Sequence, residues 1–206
     1  MRHVIDKKAS NHVIITLHGT GGSATDLFNI AEFLDKDATK IGFEGPVLEN
    51  GMRRYFARYP QGGFDLESLS KNTDTLYEAI FKTLKENNLE DHVITIIGYS
   101  NGANIAKNII KKYKDFNINN MVLFHPSNIN PIVGYKSQAK LNVLLTSGKN
   151  DPYISEDQFE KMQESMQDAG INIEAFSHNQ GHQLTNEELA AAKDFISKVN
   201  KGLVNG

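Results

Sequence analysis

Three residues of this 206-residue chain have types and surroundings suited to acyl transfer: Ser100, Asp151 and His182. Ser100 lies in Gly98-Tyr99-Ser100-Asn101-Gly102, a G-x-S-x-G string. A serine hydroxyl is a weak nucleophile and needs a neighbouring base to take its proton. It must also stand on a sharp turn with its Oγ exposed, and the two glycines leave room for the strand and helix packed around that turn. A helix opening just after the serine would point its positive end at the site and favour developing negative charge. His182 suits the base, taking the proton from Ser100 and returning it to the leaving group. Asp151 would hold the imidazole tautomer and stabilise the imidazolium.

The elements around these residues decide whether the string means chemistry, because G-x-S-x-G also arises by chance. A β-branched run, Val93 to Ile97, leads into it, and Ala103, Ile105, Ala106, Ile109 and Ile110 follow with helical spacing. The spacing predicts a strand over Leu141 to Thr146, and Asp151 follows shortly after it. Ile171 to Phe176 alternates as a strand, and Ser177-His178-Asn179-Gln180-Gly181-His182 comes next. Each of the three residues thus falls beyond the C-terminal end of a predicted strand, the edge where open α/β sheets place their sites. Nucleophile, acid, base is also the chain order of α/β-hydrolases. Two competitors are weaker. His178 and His182 form an H-x-x-x-H pair, but Gly181 breaks helical geometry and no glutamate follows the first histidine, so no metal site is expected. Asp157 sits in the first turn of a capped helix, which explains it without chemistry.

A second glycine-rich turn, His18-Gly19-Thr20-Gly21-Gly22-Ser23, follows the apolar run Val13 to Leu17. Such a loop, upstream of the serine, is where these enzymes place half of an oxyanion hole. The expected donors are the main-chain N–H groups of Asn101 and of the 18-to-22 loop, with Thr20 preferred. His18 reads as structural. Without a Gly-Lys-Ser/Thr the loop is not a phosphate loop. Residues 42 to 63 read as an irregular segment, with short strands possible near Val47 and over Tyr55 to Ala57. Arg53, Arg54 and Arg58 lie there among Met52, Tyr55, Phe56 and Tyr59. One reading makes this a substrate-facing flap, with Gly19, Arg53, Arg54 and Phe56 touching substrate. The favoured one is solvated arginines beside core aromatics. His125, after the strand Met121 to Phe124, either lines the pocket or is a satisfied structural histidine, the second being preferred. The short loop 126 to 135 leaves room for only a minimal lid.

The remaining pattern is strands alternating with helices, including a long amphipathic helix from Leu66 to Leu84 and capping boxes at Ser155 and Thr185. It predicts an α/β fold: a compact, mostly parallel sheet with helices on both faces. Length and the absence of linkers or repeats predict one domain over 1–206. With 39% hydrophobic and 23% charged residues the balance is globular, and a net charge of −3 argues against nucleic-acid binding. The absence of cysteine excludes disulfides, thiolate metal sites and a cysteine nucleophile. No apolar leader and no run near the roughly 18 apolar residues of a membrane span are visible. The expectation is a cytoplasmic protein without stable membrane association.

The chain resembles the phospholipase/carboxylesterase branch of the α/β-hydrolases through His18-Gly-Thr-Gly-Gly, Gly98-Tyr-Ser-Asn-Gly-Ala-Asn, Gly148-Lys-Asn-Asp-Pro and Gly181-His-Gln-Leu. Within it, Leu48-Glu-Asn-Gly-Met, Phe124-His-Pro and Gly181-His-Gln-Leu-Thr make it most similar to the small bacterial carboxylesterases grouped with the hydroquinone-resistance hydrolase of Bacillus. The resemblance implies a cofactor-free serine esterase with triad Ser100, Asp151 and His182 and oxyanion donors Thr20 and Asn101. The wider branch's acyl-protein thioesterases usually carry glutamine after the nucleophile, where this chain has Asn101.

Three functions follow in order of preference. The first is hydrolysis of small, short-chain carboxylic esters through an acyl-enzyme. The second is a lysophospholipase or acyl-protein thioesterase, which needs an apolar tunnel that the 126-to-135 segment scarcely supplies. The third is a catalytically silent binding module on a hydrolase fold. The expected partner is a small-molecule ester, with the protein a monomer or homodimer.

Overall fold

Apolar runs too continuous for one-sided burial form the middle of a sheet covered on both faces. The computed structural model describes residues 1–204. Its strands are β1 (His3–Asp6), β2 (His12–Leu17), β3 (Thr39–Phe43), β4 (Val47–Glu49), β5 (Met52–Arg54), β6 (Val93–Tyr99), β7 (Asn120–Phe124), β8 (Asn142–Gly148) and β9 (Asn172–His178). Its helices are α1 (Phe28–Leu34), α2 (Leu66–Glu86), α3 (Asn101–Lys112), α4 (Glu156–Asp168) and α5 (Asn186–Val204). Seven strands pair in the order β1-β3-β2-β6-β7-β8-β9, and β4 and β5 form a separate hairpin. All neighbours in the large sheet are parallel except β1, which runs antiparallel to β3. This is the mostly parallel sheet the sequence predicts.

Alternation sorts the strand side chains into two cores. Val13, Ile15 and Leu17 of β2 face α2, α3 and α4, together with Leu76, Ile80, Ile105 and Ile109. Ile14 faces the other way, toward Ala31 and Leu34 of α1 and Phe195 and Ile196 of α5. Helix starts follow the capping signals. Ser155 and Gln158 close a capping box on α4. Thr185 and Glu188 do the same on α5, each backbone N–H lying 3.2 Å from the other's side-chain oxygen.

The sequence reading missed β3, whose residues Thr-Lys-Ile-Gly-Phe show no apolar run. Lys40 is nonetheless buried, its ammonium shared between Glu32 and Asp6. Gly42 is tight as well, since a Cβ there would lie 1.6 Å from the Ala24 carbonyl oxygen. The second short strand falls at Met52–Arg54 rather than Tyr55 to Ala57, because Tyr55 and Phe56 are fully buried core residues. Among the described residues no helix is long and apolar enough to cross a membrane.

Candidate active site

Ser100 is the turn between β6 and α3. Its backbone takes φ 52° and ψ −110°, a region that side-chain-bearing residues rarely occupy. Neighbouring glycines permit it. A Cβ on Gly102 would sit 2.0 Å from the Leu17 carbonyl oxygen, and one on Gly98 would sit 2.7 Å from the Gly102 backbone. The turn is pinned by the Ser100 N–H, which donates to the Phe124 carbonyl at 2.9 Å on the neighbouring strand β7.

The other two sequence candidates meet it. His182 Nε2 lies 2.8 Å from Ser100 Oγ, and His182 Nδ1 lies 2.7 Å from Asp151 Oδ2. Asp151 follows β8, and its Oδ1 accepts the Tyr153 N–H at 2.9 Å. The Tyr99 hydroxyl donates to the His182 carbonyl at 2.5 Å and fixes the loop that carries the imidazole. That loop bends across the end of β8, where the tight glycine is Gly148: a Cβ there would lie 2.1 Å from the Gly181 carbonyl oxygen. Burial alone would raise the Asp151 carboxyl, but hydrogen bonds from His125 and His182 outweigh it and hold it below its ordinary value. Asp157 instead pairs with Lys161 at 2.8 Å on the exposed face of α4.

The glycine loop is held in place by hydrogen bonds. His18 Nε2 accepts the Gly45 N–H at 3.0 Å, which leaves the ring proton on Nδ1 to donate to the Gly19 carbonyl at 2.6 Å. Burial lowers this histidine's proton affinity, consistent with a neutral, structural ring. Thr20 Oγ1 accepts from Arg54 Nη1 at 2.8 Å, and the Gly21 N–H donates to the Arg53 carbonyl at 2.8 Å. The Asn101 side chain accepts the Tyr55 N–H at 2.7 Å. Among the described residues, neither the Thr20 nor the Asn101 main-chain N–H donates to a protein acceptor. Both remain available to an oxyanion.

A cavity of about 500 Å³ opens over Ser100 and His182, with Arg54, Arg58, Phe64, Tyr99 and Tyr153 on its wall. A larger hollow along residues 149–158 contains neither Ser100 nor His182. Of the five residues the sequence offered as touching substrate, only Arg54 lines the cavity. Gly19 packs against the Tyr99 ring, Arg53 pairs with Glu44 at 3.1 Å, and Phe56 is fully buried. His125 is 1% exposed and stands behind Asp151, its Nδ1 2.9 Å from Asp151 Oδ2. Its positive φ of 53° after β7 turns the ring inward, which a strand-end position alone does not reveal. Sequence reasoning missed Phe64, Tyr99 and Tyr153 among the wall residues; the two tyrosines flank Ser100 and Asp151 closely in sequence, a proximity that could have flagged them.

Known proteins share this fold. A model of the dienelactone hydrolase family matches residues 53–201. The Bacillus subtilis hydrolase MhqD is 36% identical over 96% of this chain and 98% of its own length. The Bacillus cereus carboxylesterase structure superposes with a TM-score of 0.91 at 36% identity, covering 97% of this chain and 94% of that one. The structure of YahD with malic acid gives 0.86 at 28% identity, covering 96% and 98%. The family model's span includes Ser100, Asp151 and His182. The chain therefore belongs to the dienelactone hydrolase family and has the α/β-hydrolase fold.

Proposed function

We propose that the protein is a serine carboxylesterase hydrolysing small, short-chain carboxylic esters. The observation that carries this reading is the unbroken hydrogen-bond chain from Ser100 through His182 to Asp151, at 2.8 and 2.7 Å. Ser100 Oγ attacks the ester carbonyl as His182 Nε2 takes its proton. The carbonyl oxygen gains charge between the N–H groups of Thr20 and Asn101. His182 then protonates the departing alkoxide, leaving an acyl-Ser100 ester. Water, deprotonated by the same imidazole, attacks that ester, and Ser100 recovers its proton. Asp151 keeps the Nδ1–H tautomer of His182 and offsets its charge.

Substrate size follows from the cover. The loop 126–135 does not close over the cavity: Ile132 is 92% exposed, and Ile129 is buried in the core beneath. Arg54 and Arg58 interrupt the cavity's apolar wall, so it lacks a continuous path for a long acyl chain. Similarity to the Bacillus cereus carboxylesterase supports the same reaction class.

The test is labelling with a fluorophosphonate probe, together with p-nitrophenyl esters from acetate to palmitate. Labelling of the wild type, its loss in Ser100→Ala, and a fall in kcat/KM of about 10⁴-fold or more are expected. Rates should be greatest on the short esters. Persistent labelling in Ser100→Ala would overturn the nucleophile, and a maximum at palmitate would move the assignment to a lysophospholipase or thioesterase.

A further inference from the structure

Asp151 has a second histidine behind it. His125 bridges two carboxylates, with Nδ1 2.9 Å from Asp151 Oδ2 and Nε2 3.2 Å from Glu188 Oε1. All three side chains are fully buried. Glu188 stands on the first turn of α5, and the esterase mechanism above makes no use of it.

The protons can be counted. Glu188 accepts from the Thr185 N–H at 3.2 Å and from the Thr146 hydroxyl. His178 stands beside both His125 and Glu188: its Nδ1 accepts the Gln180 N–H at 3.1 Å, so its ring proton sits on Nε2, 3.3 Å from His125 Nε2 and 3.5 Å from Glu188 Oε2. A neutral His125 would take that proton on its Nε2 and leave Glu188 without a ring donor. Asp151 likewise receives the Tyr153 N–H and the His182 ring. Only a ring protonated on both nitrogens donates to both acids at once. Burial alone would lower the proton affinity of His125, yet Glu188 and then Asp151 overcome this and raise it. The other groups facing His125 are His182, 5.2 Å away between ring centres, His178 at 5.2 Å and the edge of Tyr99 at 6.1 Å. His125, His178 and Glu188 are also close enough together to hold a metal ion. The Gln180 N–H argues against one, because it leaves a proton on the nitrogen a metal would need.

We propose that His125 is held as an imidazolium between Asp151 and Glu188, and that this pair positions the triad acid and draws part of its charge away from His182. Asp151, His125 and Glu188 together carry one net negative charge, as a lone aspartate would. The difference is that the positive member is nearer to His182 than the second negative one, so the field at His182 is weaker. His125 and Glu188 are positioning residues, and their role rests on the esterase reading of Ser100, His182 and Asp151.

Two measurements test this. The first needs no activity: ¹⁵N-histidine NMR of the wild type at pH 8 should show His125 with both ring nitrogens protonated. A bare nitrogen on His125 would overturn the proposal. The second is the pH profile of kcat/KM in His125→Asn and in His125→Asn/Glu188→Gln. Asparagine tolerates the positive φ and keeps an N–H toward Asp151. Glutamine keeps the capping box and leaves no unpaired buried carboxylate. In both variants the acid limb should move up by about half to one pH unit, a three- to tenfold loss below the limb. A lowered plateau with an unmoved limb would mean packing alone and would overturn the proposal. Should the double variant fail to fold, Glu188→Gln alone should leave His125 with one ring proton at pH 8, and two protons there would count against the clamp. Fluorophosphonate labelling of the wild type keeps the readings apart: absent labelling sinks the esterase assignment while the NMR result stands by itself.

Discussion

The backbone at Ser100 stores strain that folding must offset. A non-glycine residue at φ 52° and ψ −110° costs on the order of 1–3 kcal/mol, and the surrounding strand, helix and glycines hold it there. Ser100→Gly should therefore unfold at higher denaturant than the wild type, by about 1 kcal/mol, while losing all hydrolysis. Paired urea titrations check this, and an unchanged or lower midpoint would mean the turn is not strained. At this scale the sequence was legible for residue types and their order. Ser100, Asp151 and His182 meet because each follows a strand at one sheet edge, and strand ends can be found by periodicity. His125 was only half legible. It too follows a strand, but its left-handed backbone turns the ring into the core, and that depends on tertiary contacts no local pattern contains.

Among the elements, the arginine-rich segment changes meaning most. The β4–β5 hairpin braces the glycine loop, since Arg54 donates to Thr20 Oγ1 at 2.8 Å and the Arg53 carbonyl receives the Gly21 N–H at 2.8 Å. Arg54 also carries a buried charge whose nearest carboxylate, Glu49 at 3.8 Å, is held more closely by Arg58. Arg54→Met removes the brace and keeps the bulk. It should lower kcat about tenfold on a neutral ester while KM changes little, because a loosened donor acts mainly on the developing charge. Steady-state kinetics on p-nitrophenyl acetate decide it, and a change confined to KM would make Arg54 a binding residue instead. Neither this brace nor β3 could be read locally. Both are built from polar residues and glycines whose burial is set by distant partners, Thr20 for Arg54 and Asp6 and Glu32 for Lys40.

Taken whole, the molecule buries two lysines of α3 that pair with no carboxylate among the described residues. Lys107 donates to the Ser127 carbonyl, and Lys111 to those of Ile129 and Asn130 at 3.2 and 2.7 Å. They anchor the loop that leaves the cavity uncovered. Burial pushes Lys107 well down and Lys111 to about 8 from an ordinary 10.5. Between those values the unfolded chain binds more protons than the folded one, so stability rises with pH. For Lys111 the penalty is complete below about 8 and eases above it. Near pH 10 the gain ends, because Tyr55, Tyr113 and Tyr135 are all raised and their ionisation favours the unfolded chain. Urea unfolding at pH 7.5, 8.5 and 9.5 should show the climb, and Lys107→Met/Lys111→Met should flatten it. A wild-type curve that falls over this range would show the lysines to be solvated.

The clamp on Asp151 also gives the order of translation a consequence. Ser100 and Asp151 leave the ribosome well before His178, His182 and Glu188, which come with β9 and the start of α5. A nascent chain can shape its elbow and acid loop while the serine still has no base, so it is chemically inert during synthesis. On the proposed roles, reactivity would await the docking of α5, which brings Glu188 together with the loop that carries His182.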